Sequence, residues 1–271
     1  MKIYLSCIFI TISLITQGCA SVRYKIPIPK DELNQSSAEA LLQKLVKSSE
    51  EVKSYQGLSL ATLVRKGEQN KVRYLVVVEK PNKIHFEALP VNSGIAMIVL
   101  KSDGKNAIVL DTAPQIAYSA IADKDLIKNT LSLPIDPGDL IYFLTGRIPV
   151  RALKSQQALR FYEDKTTKKI VITFKKNQEI YEISSETGLL ENVVFMDKFK
   201  GIPEVEFSWN EYKSFGASNS LPKVISIALP QYDVQAKLDW RQAEINKTPK
   251  PNLFDTEPPA GYSVEPLKAF N

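Results

Sequence analysis

Residues 54–90 read SYQGLSLATLVRKGEQNKVRYLVVVEKPNKIHFEALP, and apolar side chains recur there at every second position. Leu58, Leu60, Thr62 and Val64 alternate, as do Val72, Tyr74, Val76 and Val78, and then Ile84, Phe86 and Ala88. A period of two marks strands with one apolar face. Arg65-Lys66-Gly67 supplies the turn between the first two. Three consecutive strands of this kind decide the fold class.

The same period continues for most of the chain. Further strands are expected around 95–100, 107–111, 159–163, 170–175, 179–184, 192–196, 205–212, 223–229 and 233–240. Asp103-Gly104, Lys176-Asn177, Glu186-Thr187-Gly188 and Leu229-Pro230 mark the turns. Before the strands, Ser36 and Glu39 make a capping box, and Leu41, Leu42, Leu45, Val46 and Val52 follow at helical spacing to about Lys53. One helical interruption breaks the strands. It begins at Asp123–Lys128 and turns at Leu133-Pro134-Ile135. It resumes with Asp136 as N-cap and Pro137 in the first helical position, and ends at Gly146. An antiparallel sheet with one apolar face must bury it, and three amphipathic helices imply a sheet that stays open under a cover. The expectation is a mainly β (α+β) chain: a curved antiparallel half-barrel of about eleven strands with a helical lid. The lid and cavity candidates are Leu126, Ile127, Leu140, Ile141, Phe143 and Leu144 from the helices, with Phe86 and Val76 from the sheet.

Composition narrows the function. The 271 residues are 44% hydrophobic and 24% charged with net charge +5, and the charges are scattered. No basic run interleaved with aromatics appears, so nucleic acid is not an expected partner. One histidine and two cysteines leave too few side chains for Cys/His zinc sites, Ser-His-Asp or Cys-His catalysis, or a disulfide scaffold. An enzyme is not expected, nor a metal. His85 alternates with Lys83 and Glu87 and is expected to face solvent, while Glu50-Glu51, Asp123 and Asp125 read as helix-surface charges. Asn246-Lys247-Thr248 matches a glycosylation sequon, to which no function is assigned.

The N-terminus has its own logic. Met1-Lys2 is a basic start, and the apolar stretch from Ile3 to Ile15 is too short to span a bilayer core of roughly 30 Å. It runs into Thr16-Gln17-Gly18-Cys19, which resembles a bacterial lipoprotein cleavage site, with Thr16 where Leu is usual. Residues 1–18 are then a lipoprotein signal peptide, residues 19–35 a lipidated tether with Pro27 and Pro29, and residues 36–271 a single domain. The resemblance implies a covalent acyl/diacylglycerol anchor on Cys19 and no other cofactor. Cys7 leaves with the signal. Each buried methylene contributes about 0.8 kcal/mol, so two or three acyl chains hold the protein at the bilayer. Ala20 and Ser21 follow the cysteine without the Asp that marks inner-membrane retention in enterobacteria. The expected location is the outer membrane, periplasmic face.

With these segments in place the chain resembles the LolA–LolB superfamily of lipoprotein carriers and receptors, and within it the LolB-type outer-membrane lipoprotein. The likeness rests on Tyr55-Gln56-Gly57 after the first helix, Leu89-Pro90-Val91-Asn92-Ser93-Gly94 between two strands, and Val99 to Gly104 as strand and turn. It continues through Asp123 to Leu133, Pro134 to Leu140, and Leu144-Thr145-Gly146-Arg147-Ile148-Pro149. The resemblance implies an apolar cavity receiving acyl chains of lipoproteins or phospholipid. The implied partner is a periplasmic LolA-like carrier. It also implies a membrane-insertion loop, which falls on Leu89, Pro90 and Val91; the alternative is that Leu89 and Val91 fold back into the core. Arg147 is expected to be structural. The chain is longer than typical LolB proteins, with a tail through Phe254, Pro258-Pro259, Gly261-Tyr262 and Leu267. Because one fold hosts many functions, a second class stays open: a structural or assembly lipoprotein with a packed core that acts through a protein partner.

Overall fold

The computed structural model describes residues 28, 30–131, 133–154, 158–173, 177–197, 199–215 and 220–267. The expected signal peptide at 1–18, Cys19 and the tether as far as Pro27 lie outside them. A helix, α1 (Gln35–Glu50), precedes a first run of strands: β1 (Ser54–Arg65), β2 (Glu68–Glu79), β3 (Lys83–Pro90), β4 (Ile98–Ser102), β5 (Asn106–Asp111) and β6 (Ile116–Ile121). A second run comprises β7 (Ala158–Glu163), β8 (Thr167–Thr173), β9 (Asn177–Ser184), β10 (Leu190–Asp197), β11 (Ile202–Ser214), β12 (Ser220–Leu229) and β13 (Val234–Ile245). The last strand is β14 (Ser263–Pro266).

All belong to one curved, open 14-stranded sheet in the order β14-β6-β5-β4-β3-β2-β1-β13-β12-β11-β10-β9-β8-β7. Consecutive strands pair antiparallel within each run, and β1 pairs antiparallel with β13 to join the two runs. Only β14 lies parallel to its neighbour, β6. The fold class is the one expected, a mainly β half-barrel under helices. The strand number exceeds the eleven or so anticipated. β6 escaped notice because Ala117 packs on the outer face of the sheet while Tyr118 and Ala120 pack on the inner one, so the period of two is blurred. All four residues of β14 are exposed, and only the free edge of β6 makes them a strand.

The order of strands dictates the lid. β6 lies next to one edge of the sheet and β7 forms the other, so the chain between them must cross a face. It does so as α2 (Leu126–Leu131), a 3₁₀ turn at Pro137–Asp139, α3 (Leu140–Leu144) and α4 (Val150–Leu153). Leu126, Ile127, Leu140, Phe143 and Leu144 are buried there in one core with Val76, Ile84, Phe207 and Ile225. Asp136 caps the 3₁₀ turn as expected, its side chain accepting from the Gly138 N–H at 2.9 Å. Gly146, with φ +64, ends α3 and its turn. At α1 the cap is Asn34, whose Oδ1 accepts from Ser37 N–H at 2.9 Å, so Ser36 and Glu39 sit inside the helix.

Two faces differ from the sequence reading. On the inner face of β1 Tyr55, Gly57, Ser59 and Ala61 are buried, while Leu58, Leu60, Thr62 and Val64 lie half-buried on the outer side. The inner side needs small residues because a large ring lies over it. A Cβ at Gly57 would stand 2.6 Å from Tyr55 Oη and 2.8 Å from Trp240 Cζ3. His85, expected in solvent, is only 3% exposed. Its Nδ1 lies 2.9 Å from the Leu253 carbonyl oxygen and its Nε2 2.8 Å from Glu87 Oε1. The C-terminal segment folds back over the outer face of β3 and β4 through a 3₁₀ turn at Pro251–Phe254, a covering that local periodicity does not reveal.

Gly57→Ala drives a methyl group into the Tyr55–Trp240 contact. Overpacking of this kind costs about 1–3 kcal/mol and lowers Tm by several degrees in thermal denaturation. An unchanged Tm would mean that the two rings yield freely.

An apolar cavity beneath the lid

Between the concave face and the lid lies a partly open cavity of about 170 Å³ whose lining residues are all aliphatic or aromatic. Of the lid and cavity candidates, Val76 and Phe86 from the sheet and Leu140, Phe143 and Leu144 from α3 line it. Leu126, Ile127 and Ile141 do not; they are fully buried and hold the lid to the core. The sequence reading missed the far wall, formed by Leu63, Ile225, Leu238 and Trp240, and the lid residues Leu131, Leu133 and Ile135. The alternation of β12 and β13 was visible, but nothing local says that these strands close on β1 and share its concave face.

A second compartment of about 270 Å³ adjoins the first. Phe86 and Leu131 line both, and the second is completed by Ile98, Leu100, Val109 and Tyr118, with Asp111 and Thr130 as its polar members. An apolar void of about 150 Å³ stays dry and accommodates a benzene-sized guest. A long acyl chain needs more, and the two compartments joined by a turn of Phe86 and Leu131 reach the usual range of ligand pockets, about 300–1,000 Å³.

Aromatic stacking and hydrogen bonds fix the lid over this space. The Phe143 ring stacks on Phe207 at 4.9 Å and 18°, and Trp209 Nε1 donates to the Phe143 carbonyl at 2.7 Å. Arg147 Nε donates to the Ser48 carbonyl at 3.1 Å and Nη1 to Thr145 O at 2.8 Å. Ser49 Oγ donates to the Ile148 carbonyl at 2.8 Å, so α1 and the lid's end are tied together. Arg147 thus links one carbonyl at the end of α1 to one in the lid.

One charged cluster joins the lid to the sheet. Arg151 on α4 pairs with Asp139, which is 3% exposed, and its Nη1 lies 3.7 Å from Glu179 Oε1 on β9. Tyr181 Oη donates to Glu179 Oε2 at 2.6 Å. Two buried carboxylates therefore share one guanidinium. Burial pushes the Asp139 carboxyl up to about 6, against the opposing pull of Arg151, and burial raises Glu179 as well.

The loop expected to meet a membrane lies between β3 and β4. Leu89 and Pro90 close β3 and are half-buried, whereas Val91 begins the loop at 43% exposure. Ile95, 76% exposed, and Met97 project from the same loop and were not singled out in the sequence. Antiparallel order places the β10–β11 and β12–β13 turns at this end of the sheet too, and each carries an exposed aromatic ring, Phe199 and Tyr232. Among the described residues no group of His, Cys, Asp and Glu is placed to hold a metal, and no helix is long and apolar enough to cross a membrane.

No protein-family model matches this chain, and no curated protein matches it in sequence. Solved structures do match its fold. A DUF1329 family protein from Desulfovibrio piger superposes with TM-score 0.56 at 9% identity, covering 81% of this chain and 96% of that one. A domain named as an outer membrane lipoprotein-sorting protein from Vibrio parahaemolyticus gives 0.55 at 11% identity, over 82% and 97%. A LolA superfamily protein from Nitrosomonas europaea gives 0.52 at 12% identity, over 80% and 97%. The chain thus has the LolA-like fold: an open, curved antiparallel sheet with few helices.

The Asp139 shift has a definite sign. A carboxyl whose pKa is raised on folding contributes stability that is full below about pH 4 and lost as pH rises through about 6. The stability of the wild type relative to Asp139→Asn is therefore expected to fall between pH 4 and pH 7 in urea titrations. A difference independent of pH across that window would contradict the assignment.

Proposed function

We propose that this protein is a LolB-type outer-membrane lipoprotein, acylated at Cys19, that takes acyl chains into its cavity and passes them on, and that it binds rather than catalyses. The observation that carries the reading is the cavity lining. Every side chain that lines the first compartment is apolar or aromatic, and it lies between lid and sheet. Such a surface favours hydrocarbon by roughly 25 cal/mol per Å² removed from water. Transfer from a periplasmic LolA-like carrier needs no energy source. A tenfold preference corresponds to about 1.4 kcal/mol, so a slightly better-shaped cavity makes the step downhill. The single domain at 36–271, its tether and its location at the periplasmic face of the outer membrane belong to this proposal. The LolA-like fold supports the carrier part of it, and the sequence around Cys19 the anchor.

Delivery to the membrane falls to the end of the sheet where Val91, Ile95 and Met97 project, with Phe199 and Tyr232 on other turns of the same end. Several apolar tips on separate turns of one end suit shallow insertion among lipid head groups better than scattered single exposures do. The cargo is an acylated protein or phospholipid.

Native mass spectrometry of the full chain carrying Cys19→Ser, purified without detergent, tests the cavity, since no covalent acyl group then competes for it. A bound phospholipid or acylated peptide that a fluorescent lipid displaces is the expected result. A clean apo mass with no probe binding would instead favour the assembly lipoprotein acting through a protein partner. For the loop, Val91→Glu with Ile95→Glu is expected to reduce liposome association of the same chain at least tenfold, since each exposed apolar side chain lost from the bilayer contributes about 1 kcal/mol or more. Unchanged association with a folded protein would remove the loop from the mechanism.

A further inference from the structure

Three buried polar atoms on or around the Trp240 ring have no hydrogen-bond partner: Trp240 Nε1, Ser59 Oγ and Tyr55 Oη. Trp240 lines the cavity at 1% exposure, and its Nε1–H has no acceptor. An indole N–H only donates, and a buried donor left unpaired is rare in folded proteins. Ser59 stands directly opposite Trp240 in the β1–β13 ladder, hence on the same face. It is equally buried, and its Oγ also lacks a partner.

The second tryptophan provides the contrast. Trp209 is as deeply buried, yet its Nε1 reaches the Phe143 carbonyl. The fold therefore satisfies one indole from its own backbone and leaves the other open. The orientation of Trp240 fits a role toward the cavity. Its Cζ3–Cε3 edge lies against Gly57, and Tyr55 meets the ring edge-on at 5.3 Å and 80°. Nε1 sits on the other edge of the indole, turned away from Gly57, on a ring that lines the compartment.

We propose that Trp240 Nε1, with Ser59 Oγ beside it, hydrogen-bonds the carbonyl oxygen that joins an acyl chain to its head group, so that the cavity selects ester- or amide-linked chains over plain hydrocarbon. The inference rests on the acyl-binding reading and deepens it by naming the chemical class of ligand. Donors without acceptors require an oxygen that accepts. The carbonyl is the one such group every O- or N-acylated lipid carries next to its chain.

The test uses the full chain with Cys19→Ser and three probes of similar length: methyl decanoate, N-methyldecanamide and undecane. Binding is read by calorimetry and by the indole N–H resonances of the ¹⁵N-labelled protein, with Trp209→Phe assigning the two signals. The expected result is a downfield shift of the Trp240 indole proton with ester or amide and none with undecane. Ester and amide arms tell an O-acyl from an N-acyl source. Ser59→Ala, and separately 3-benzothienylalanine in place of Trp240, which keeps the ring and removes the N–H, are each expected to cut the preference for carbonyl probes over undecane about fivefold. Carbonyl probes and undecane that bind in unchanged proportion in these variants would overturn the carbonyl site and leave the acyl cavity standing. Failure of all three probes to bind would overturn both.

Discussion

The antiparallel ladder between β1 and β13 is the interaction on which the rest of the structure depends. It runs from Tyr55 opposite Ile245 to Arg65 opposite Val234, joining strands nearly at opposite ends of the chain. Without it the molecule is two separate meanders, each with an exposed apolar face. With it, β2–β6 and β7–β12 become the wings of one curved surface. Closing so long a loop costs entropy, but that cost grows only slowly with length, and a ladder of eleven paired positions with buried side chains on one face offsets it. The register slips at Leu58/Ser59, and the same irregularity brings Trp240 opposite Ser59 over the small residues of β1.

The lid follows from that closure. Once β6 and β7 lie toward opposite edges, the segment between them has to traverse the concave face, and its apolar residues fill part of it. Part is left open. The lid helices are short and are separated by segments containing Pro134 and Pro149, so they bridge the concave face without forming a ridge that would interdigitate with the whole sheet. The resulting voids lie between Phe86, Leu131 and the far wall rather than at a single point. The Arg151 cluster pins one side of the lid at the expense of desolvating two carboxylates.

The outer face is finished by the C-terminal segment. Leu253 and Phe254 cover β3 and β4, Tyr262 packs with Val99, Ile108, Leu110 and Ala117, and β14 extends the sheet beyond β6. A small second core thus stands on the convex side of one wing, with His85 held between Leu253 and Glu87. At the other edge β7 is met by the residues before α1, with Leu33 N–H on Phe161 O at 2.9 Å and Glu163 N–H on Asp31 O at 3.1 Å. Both edges of an open sheet are therefore occupied by short extensions of the chain, which limits edge-to-edge association.

How much of this was legible depends on the range of the forces involved. Alternation in Val72–Val78 and Ile84–Ala88, turn residues such as Asp103-Gly104, and the Asp136 cap act within a few residues, and the chain alone determined the mainly β class, the lid segment and several cavity residues of that lid and of β2 and β3. On β1 the same alternation pointed to the wrong side, because Gly57 and Ser59 are small where they meet Trp240, nearly two hundred positions away along the chain. His85 and β14 were misread or unseen for the same reason, each being buried or paired only by a segment distant in sequence. Local chemistry set the strands, helices and turns. Which face of each strand is inside, where the voids fall and which indole is left unpaired were decided only by the tertiary structure, because burial is a property of what comes to lie opposite a residue and not of the residue itself.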